Sequence, residues 1–79
     1  MNQSILFNDD LSFNETHHAW SFTGLVNGQY FSVFIAEKYH SKEQLVSNTT
    51  KFDWEEQAED YLENHELDSQ TIWLNPLFE

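Results

Sequence analysis

The histidines and carboxylates of this 79-residue chain are the side chains that could bind a metal ion or move a proton. His17 and His18 are adjacent, so on a strand they point to opposite faces and cannot chelate one ion together. Asp9, Asp10 and Glu15 suggest calcium, but they lack the alternating oxygens and the glycine of an EF-hand loop. We therefore expect polar residues at the start of a strand and a solvated turn, and no metal site.

His65 falls on the apolar stripe of a predicted helix, where a titrating group is unexpected. It can be a pH-sensitive element, because histidine changes charge near neutral pH. It can also be a partly buried side chain that is hydrogen-bonded to a neighbour, as polar groups on core-facing stripes usually are. We expect the second, and the sequence leaves the role of His65 open.

Eight carboxylates between residues 53 and 68 pose the largest chemical question. A general acid and base would need two carboxyl groups in one pocket, whereas these fan across the outer face of a helix. The simplest interpretation is a solvated face that keeps the protein soluble. The alternative is an acidic docking face for a partner with a basic surface, with Glu55, Glu59, Glu63 and Glu66 as its candidate residues.

Composition excludes several classes of function. The net charge of -11 repels nucleic-acid phosphates and anionic lipids, so we expect neither as a direct partner. Two glycines, no arginine and no cysteine leave little for a phosphate-binding loop, an oxyanion clamp or a thiolate. We predict no catalytic residue and no cofactor. No apolar run or basic leader predicts a membrane segment, and the lack of cysteine fits the cytoplasm.

A β-hairpin is the strongest structural signal in the chain. Asn27-Gly28 tolerates the two positive φ angles of a type I′ turn, which pairs Val26 with Gln29 and Ala19 with Ala36 at the two ends of the ladder. One face of this hairpin is then apolar and is expected to form the core. Its predicted members are Trp20, Phe22, Val26, Phe31, Val33 and Ile35.

The second face of the hairpin also carries apolar side chains, and no other predicted element is large enough to cover it. Leu25, Tyr30 and Phe34 are its candidate interface residues, with Ala19 and Ala36 beside them. A contiguous uncovered patch is uncomfortable for a small domain, and pairing two such faces about a two-fold axis removes it. We expect a weak homodimer, or a heteromeric partner in its place.

The remaining elements complete an α+β domain. Residues 53–66 read as one long amphipathic helix, with Asp53 as N-cap and Glu56 completing a capping box. Ser41 and Gln44 favour a short helical turn through Leu45 and Val46, and strands are expected at 4–7 and 70–74. The prediction is a single domain, 1–79, with an antiparallel sheet of three to four strands, its hairpin at 18–36, packed on the long helix.

The segments "MNQSILF", "LVNGQYFSVFI" and the late acidic helix followed by "IWL" resemble the bacterial domain of unknown function 1488 family. The resemblance spans almost the whole chain and implies a small cytosolic bacterial α+β protein. It implies no activity, cofactor or catalytic residue.

The sequence therefore predicts a small acidic accessory or protein-interaction module without catalytic activity. The alternative is an enzyme or small-ligand binder with a pocket where the hairpin meets the helix, near Trp54, Tyr61 and His65.

Overall fold

Across residues 4–65 and 70–75, which the computed structural model describes, the chain forms five strands and one helix. In chain order these are β1 (Ile5–Phe7), β2 (Ser12–Asn14), β3 (Ala19–Val26), β4 (Gln29–Ala36), α1 (Asn48–Asn64) and β5 (Thr71–Leu74). The strands form one sheet, and α1 packs on one side of it. The predicted two-layer α+β fold is confirmed.

The hairpin of β3 and β4 has the predicted register. Asn27 and Gly28 adopt φ angles of 52° and 84°, as a type I′ turn requires. All eight predicted cross-strand pairs are present, from Val26 opposite Gln29 to Ala19 opposite Ala36. The side chains predicted to share a face therefore do so.

Two short strands, β1 and β2, pair one after the other with β3. The predicted turn cluster Asn8-Asp9-Asp10 interrupts them. The amide of Asn8 donates to the carbonyl of Thr23 at 2.9 Å, and the amide of Thr23 donates to the carboxylate of Asp10 at 3.0 Å. A side chain thus replaces a backbone acceptor at this gap, and the sheet continues into β2, which the sequence analysis missed.

The sheet is mixed, where an antiparallel sheet of three to four strands was expected. β5 runs parallel to β4, with Ile72 opposite Val33 and Trp73 opposite Phe34. A parallel neighbour needs a crossover of a dozen or more residues, usually a helix. The connection through α1 provides it, so the chain re-enters the sheet in the direction of β4.

The helix begins five residues before the predicted start. Its N-cap is Ser47, whose hydroxyl accepts a hydrogen bond from the amide of Thr50 at 3.2 Å, so the prediction of Asp53 as N-cap is wrong. Ser47 satisfies an orphan amide of the first turn, which lets the weak helix formers Asn48 and Thr49 lie inside the helix.

The helix ends at Asn64, and its last carbonyls are bonded by side chains. The Asn64 amide group donates to the carbonyl of Asp60 at 2.8 Å, and Nδ1 of His65 lies 3.1 Å from the carbonyl of Tyr61. His65 is exposed and is the C-cap, so the prediction that it is partly buried on the core-facing stripe is wrong. Glu66, where the helix was expected to end, lies outside the described residues.

The core lies between α1 and the predicted apolar face of the hairpin. Trp54, Ala58 and Leu62 are the buried residues of the helix. They pack against side chains of three strands: Phe22, Val26, Phe31, Val33, Ile35, Ile72 and Leu74. Within the described ranges, no helix combines the length and the apolar character that crossing a bilayer requires.

Gly24 interrupts this apolar face for a steric reason. A Cβ atom at this position would lie 2.6 Å from the backbone oxygen of Leu6 and 2.6 Å from Cζ of Phe31. The ring of Phe31, directly opposite in the ladder, thus occupies the space that a side chain would need. Phe7 then meets Phe31 edge-on, with ring centroids 5.9 Å apart.

The connection from β4 to α1 is organised by His40. Its ring meets Trp20 and Trp54 edge-on, with centroids 5.9 Å and 5.3 Å away, and its Nε2 lies 3.1 Å from the carbonyl oxygen of Gln44. The expected turn at Ser41–Gln44 is present, with a 3.0 Å backbone bond. The predicted helical continuation through Leu45 and Val46 is wrong. The side chain of Leu45 is 92% exposed, so it makes no core contact that would stabilise a helix at this position.

Candidate interaction surface

The two faces of the sheet have different surroundings. One face packs on α1, and the opposite face is here called the outer face. Pairing places Leu6, Leu25 and Tyr30 in one row across β1, β3 and β4. A second row places Phe34 beside Trp73. Between and beside these rows lie small polar or small apolar residues: Ser12, Asn14, Ala19, Ser21, Thr23, Ser32, Ala36 and Thr71.

Phe34 is covered, contrary to the expectation for this face. The indole of Trp73 stacks on its ring, with centroids 4.9 Å apart and planes 25° apart. The imidazole of His17 lies on it as well, at 4.7 Å. Phe34 is consequently only 7% exposed, and Trp73, which is 50% exposed, presents its indole in its place.

His17 is held over Phe34 by its own turn. The amide of His17 donates to the side-chain oxygen of Asn14 at 3.0 Å, and His18 takes a positive φ of 52° just before β3 begins. The two histidines thus lie in a turn and not on a strand. Among the described residues, no three His, Asp or Glu side chains are grouped closely enough to hold a metal ion.

The other end of the outer face is open. Leu6 is 61% exposed and Tyr30 is 51% exposed, while Leu25 between them is partly buried. Of the candidate interface residues Leu25, Tyr30 and Phe34, the structure leaves Tyr30 accessible and Leu25 partly so. An interface at these residues remains a prediction, in which Phe34 supports Trp73 and makes no contact of its own.

The strands that form the outer face carry no charged residue, in a strongly acidic protein. None of the five strands contains Asp, Glu, Lys or Arg, although the chain has a net charge of -11. Asp10, from the gap between β1 and β2, reaches the face and accepts a hydrogen bond from the hydroxyl of Thr23 at 2.5 Å. The charged residues of the described ranges therefore lie on the helix and in the connections.

The candidate acidic docking face lies on α1. Glu59 and Glu63 are exposed, Glu55 is partly buried, and Glu66 lies outside the described residues. Lys51, one turn before Glu55, donates a hydrogen bond to Asp9 in the gap between β1 and β2. This hydrogen bond, together with the charge attraction, lowers the pKa of Asp9 and raises the pKa of Lys51.

Burial raises the pKa of Glu55, and the attraction of Lys51 opposes that effect. The carboxylate of Glu55 is thus partly desolvated, while Glu59 and Glu63 are exposed to water. The predicted docking face is therefore not a uniform row. Whether it binds a basic partner remains a prediction.

The predicted pocket residues at the seam of hairpin and helix serve other purposes. Trp54 is buried against His40, and Tyr61 is half-buried at the edge of the core. The rings of Tyr61 and His65 stack, with centroids 4.3 Å apart and planes 15° apart. These side chains are engaged in packing and in capping the helix.

Comparison with protein-family models and with curated proteins found no match. Among solved structures, the fold matches the crystal structure, at 1.60 Å resolution, of a protein of unknown function from the DUF1488 family of Shewanella loihica PV-4. The two chains are 29% identical, superpose with a TM-score of 0.70, and are each covered over 94% of their length. This chain resembles the DUF1488 family. The resemblance predicted from the sequence is confirmed.

The match to the DUF1488 protein supports the α+β fold over nearly the whole chain, and the description of that protein names no activity. No catalytic or specific function follows from it. The function of this DUF1488-like chain must therefore be inferred from its own surfaces.

Replacing Phe34 by Ala tests the cover of the outer face. Because Phe34 is buried under Trp73 and His17, we expect Phe34→Ala to lower the free energy of unfolding by about 3 kcal/mol. The half-exposed Tyr30 is the matched control, and Tyr30→Ala should cost less than about 1 kcal/mol. Urea unfolding measures both, and equal losses would show that Phe34 is not covered.

Replacing Glu55 by Gln tests the desolvation of the helix carboxylate. With its folded-state pKa raised, Glu55 costs stability at neutral pH, and that cost disappears as the pH falls through the folded-state pKa. We expect Glu55→Gln to raise the melting temperature at pH 7 by about 2 °C more than Glu59→Gln. The difference should vanish in acid, where the carboxyl of Glu55 is protonated. An equal gain from Glu59→Gln at pH 7 would contradict this account.

Proposed function

We propose that this chain is a small protein-interaction module without catalytic activity, and that it binds its partner through the outer face of the sheet. The observation that carries the proposal is the lack of charge on all five strands of a chain with a net charge of -11. A cytoplasmic location is part of the proposal and is supported by the lack of cysteine.

Exposed side chains of solvated sheet faces are normally polar and often charged, which keeps small proteins soluble and blocks unwanted association. Here the exposed side chains of the outer face include Leu6, Tyr30 and Trp73. Tyrosine and tryptophan are enriched at interfaces because they bury a large apolar area at little cost in side-chain entropy. A partner protein that contacts these side chains removes their apolar area from water.

The chemistry of the face indicates the class of partner. Ser21 and Ser32 lie between the apolar rows and carry hydroxyl groups, not charges. The hydroxyl of Thr23 beside them is bonded to Asn8 and Asp10. A partner that fits this face is therefore an uncharged, partly apolar protein surface. A basic surface would gain more from the carboxylates of α1, which we assign to solubility.

The alternative is a small-ligand site or an active site at the seam near Trp54, Tyr61 and His65. It has less support, because a ligand there would have to displace the stacked ring of His65 or enter the packed core around Trp54. A partner that binds to the outer face needs no such rearrangement.

Site-specific photo-cross-linking in cells that produce the protein natively tests the proposal. A photoreactive phenylalanine analogue is placed at Tyr30 or at Trp73 on the outer face, and at Phe52 on α1 as the matched control. Phe52 is a large apolar residue of similar exposure on the other layer. We expect discrete protein adducts from positions 30 and 73 and none from position 52.

Adducts that form equally from position 52 would show non-specific contact and overturn the assignment of the outer face. A complete lack of protein adducts from positions 30 and 73 would contradict the interaction function itself. Each variant must melt at the temperature of the parent, which shows that the label has not altered the fold.

A further inference from the structure

We infer that the occupant of the outer face is a second copy of this chain, bound through the same face about a two-fold axis. The inference rests on the proposed function and names the partner of the same site. Its contact residues are Leu6, Tyr30 and Trp73, with Leu25 between the first two.

The outer face is complementary to a second copy of itself. The partner of this face must present an uncharged, gently twisted surface with exposed apolar side chains and hydroxyl groups. The outer face of a second copy has this composition. In a two-fold contact the same patch is used twice, so each apolar side chain that one protomer contributes is matched by another from its partner.

The position of the charged residues favours contact through the outer faces. Two copies that each carry a net charge of -11 repel one another in most orientations. With outer faces in contact, each α1 lies on the far side of its own sheet, and packed layers are about 10 Å apart, beyond the screening length of about 8 Å at physiological ionic strength. This orientation therefore keeps the helix carboxylates of the two protomers apart.

The carboxylate closest to the contact is that of Asp10. It comes from the gap between β1 and β2, at the edge of the sheet, and it accepts hydrogen bonds from the amide and the hydroxyl of Thr23. These bonds stabilise the charge within the protomer. Asp10 thus lies at the rim of the contact, where water also reaches it.

The area of the outer face is large enough for a weak dimer. The sheet is four strands wide, and β3 and β4 are up to eight residues long. With ordinary strand spacings, the outer face then has an area of about 500 Å² per protomer. Two such faces bury about 1,000 Å² in total, the lower limit for a specific interface. We therefore expect a weak dimer, with a dissociation constant of about 100 µM.

Sedimentation equilibrium of the parent and of charge-insertion variants tests the inference. Tyr30→Glu and Leu6→Glu add a carboxylate to the outer face. Leu45→Glu is the matched control, because it adds the same charge at an exposed apolar residue of the connection before α1. Phe34→Glu is unsuitable, since it would bury a charge and unfold the protein.

We expect the parent to dimerise at high micromolar concentration, and Tyr30→Glu and Leu6→Glu each to raise the dissociation constant by about tenfold or more. Leu45→Glu should change it by less than about twofold. Added salt should not weaken the dimer, because the contact contains no ion pair for salt to screen.

A parent that stays monomeric at about 500 µM, about five times the expected dissociation constant, would overturn the inference. A dimer that Leu45→Glu disrupts as much as Tyr30→Glu would overturn it too. Neither outcome decides the proposed function, since adducts from positions 30 and 73 to a different protein would still support the outer face as a binding surface.

Discussion

The register of the β3–β4 hairpin is the constraint on which the rest of the structure depends. Asn27 and Gly28 at positive φ fix it, and a shift by one residue would exchange every side chain between the two faces. In the observed register Phe22, Val33 and Ile35 meet α1 and form the core. The same register sends Tyr30 and Phe34 to the outer face, so a single turn determines both the stability of the fold and the composition of its candidate binding surface.

Local signals predicted those parts of the fold that local physics decides. The hairpin, its register, the first strand and the helix stripe of Trp54, Ala58 and Leu62 follow from turn chemistry and periodicity. The cover of Phe34 depends on Trp73, 39 positions away, whose parallel pairing no local pattern reveals. His17 covers the same ring from a turn that Asn14 stabilises. The helix start was missed because Ser47 caps a first turn of residues with low helix propensity.

The distribution of charge joins the fold to the proposed function. The carboxylates of the described residues lie on α1 and in the connections, where repulsion between them is relieved by water and, at Asp9, by Lys51. The strands carry none, and they expose Leu6, Tyr30 and Trp73 on the layer that the helix does not cover. The resemblance to the DUF1488 protein covers 94% of this chain and names no function. This separation of charged and uncharged surfaces supports the proposed role of the chain as an interaction module.

Fluorine NMR of the protein labelled with 5-fluorotryptophan tests the central claim most directly, because the three tryptophans report on different surroundings. Trp54 is buried, the indole N–H of Trp20 donates to the carbonyl of His40 at 3.0 Å, and Trp73 is half-exposed on the outer face. Over a dilution series from about 1 mM to about 10 µM, which spans a dissociation constant of about 100 µM, a dimer through this face predicts that the Trp73 resonance moves while the other two stay in place. A Trp73 resonance that does not change, or equal movement of all three, would contradict it.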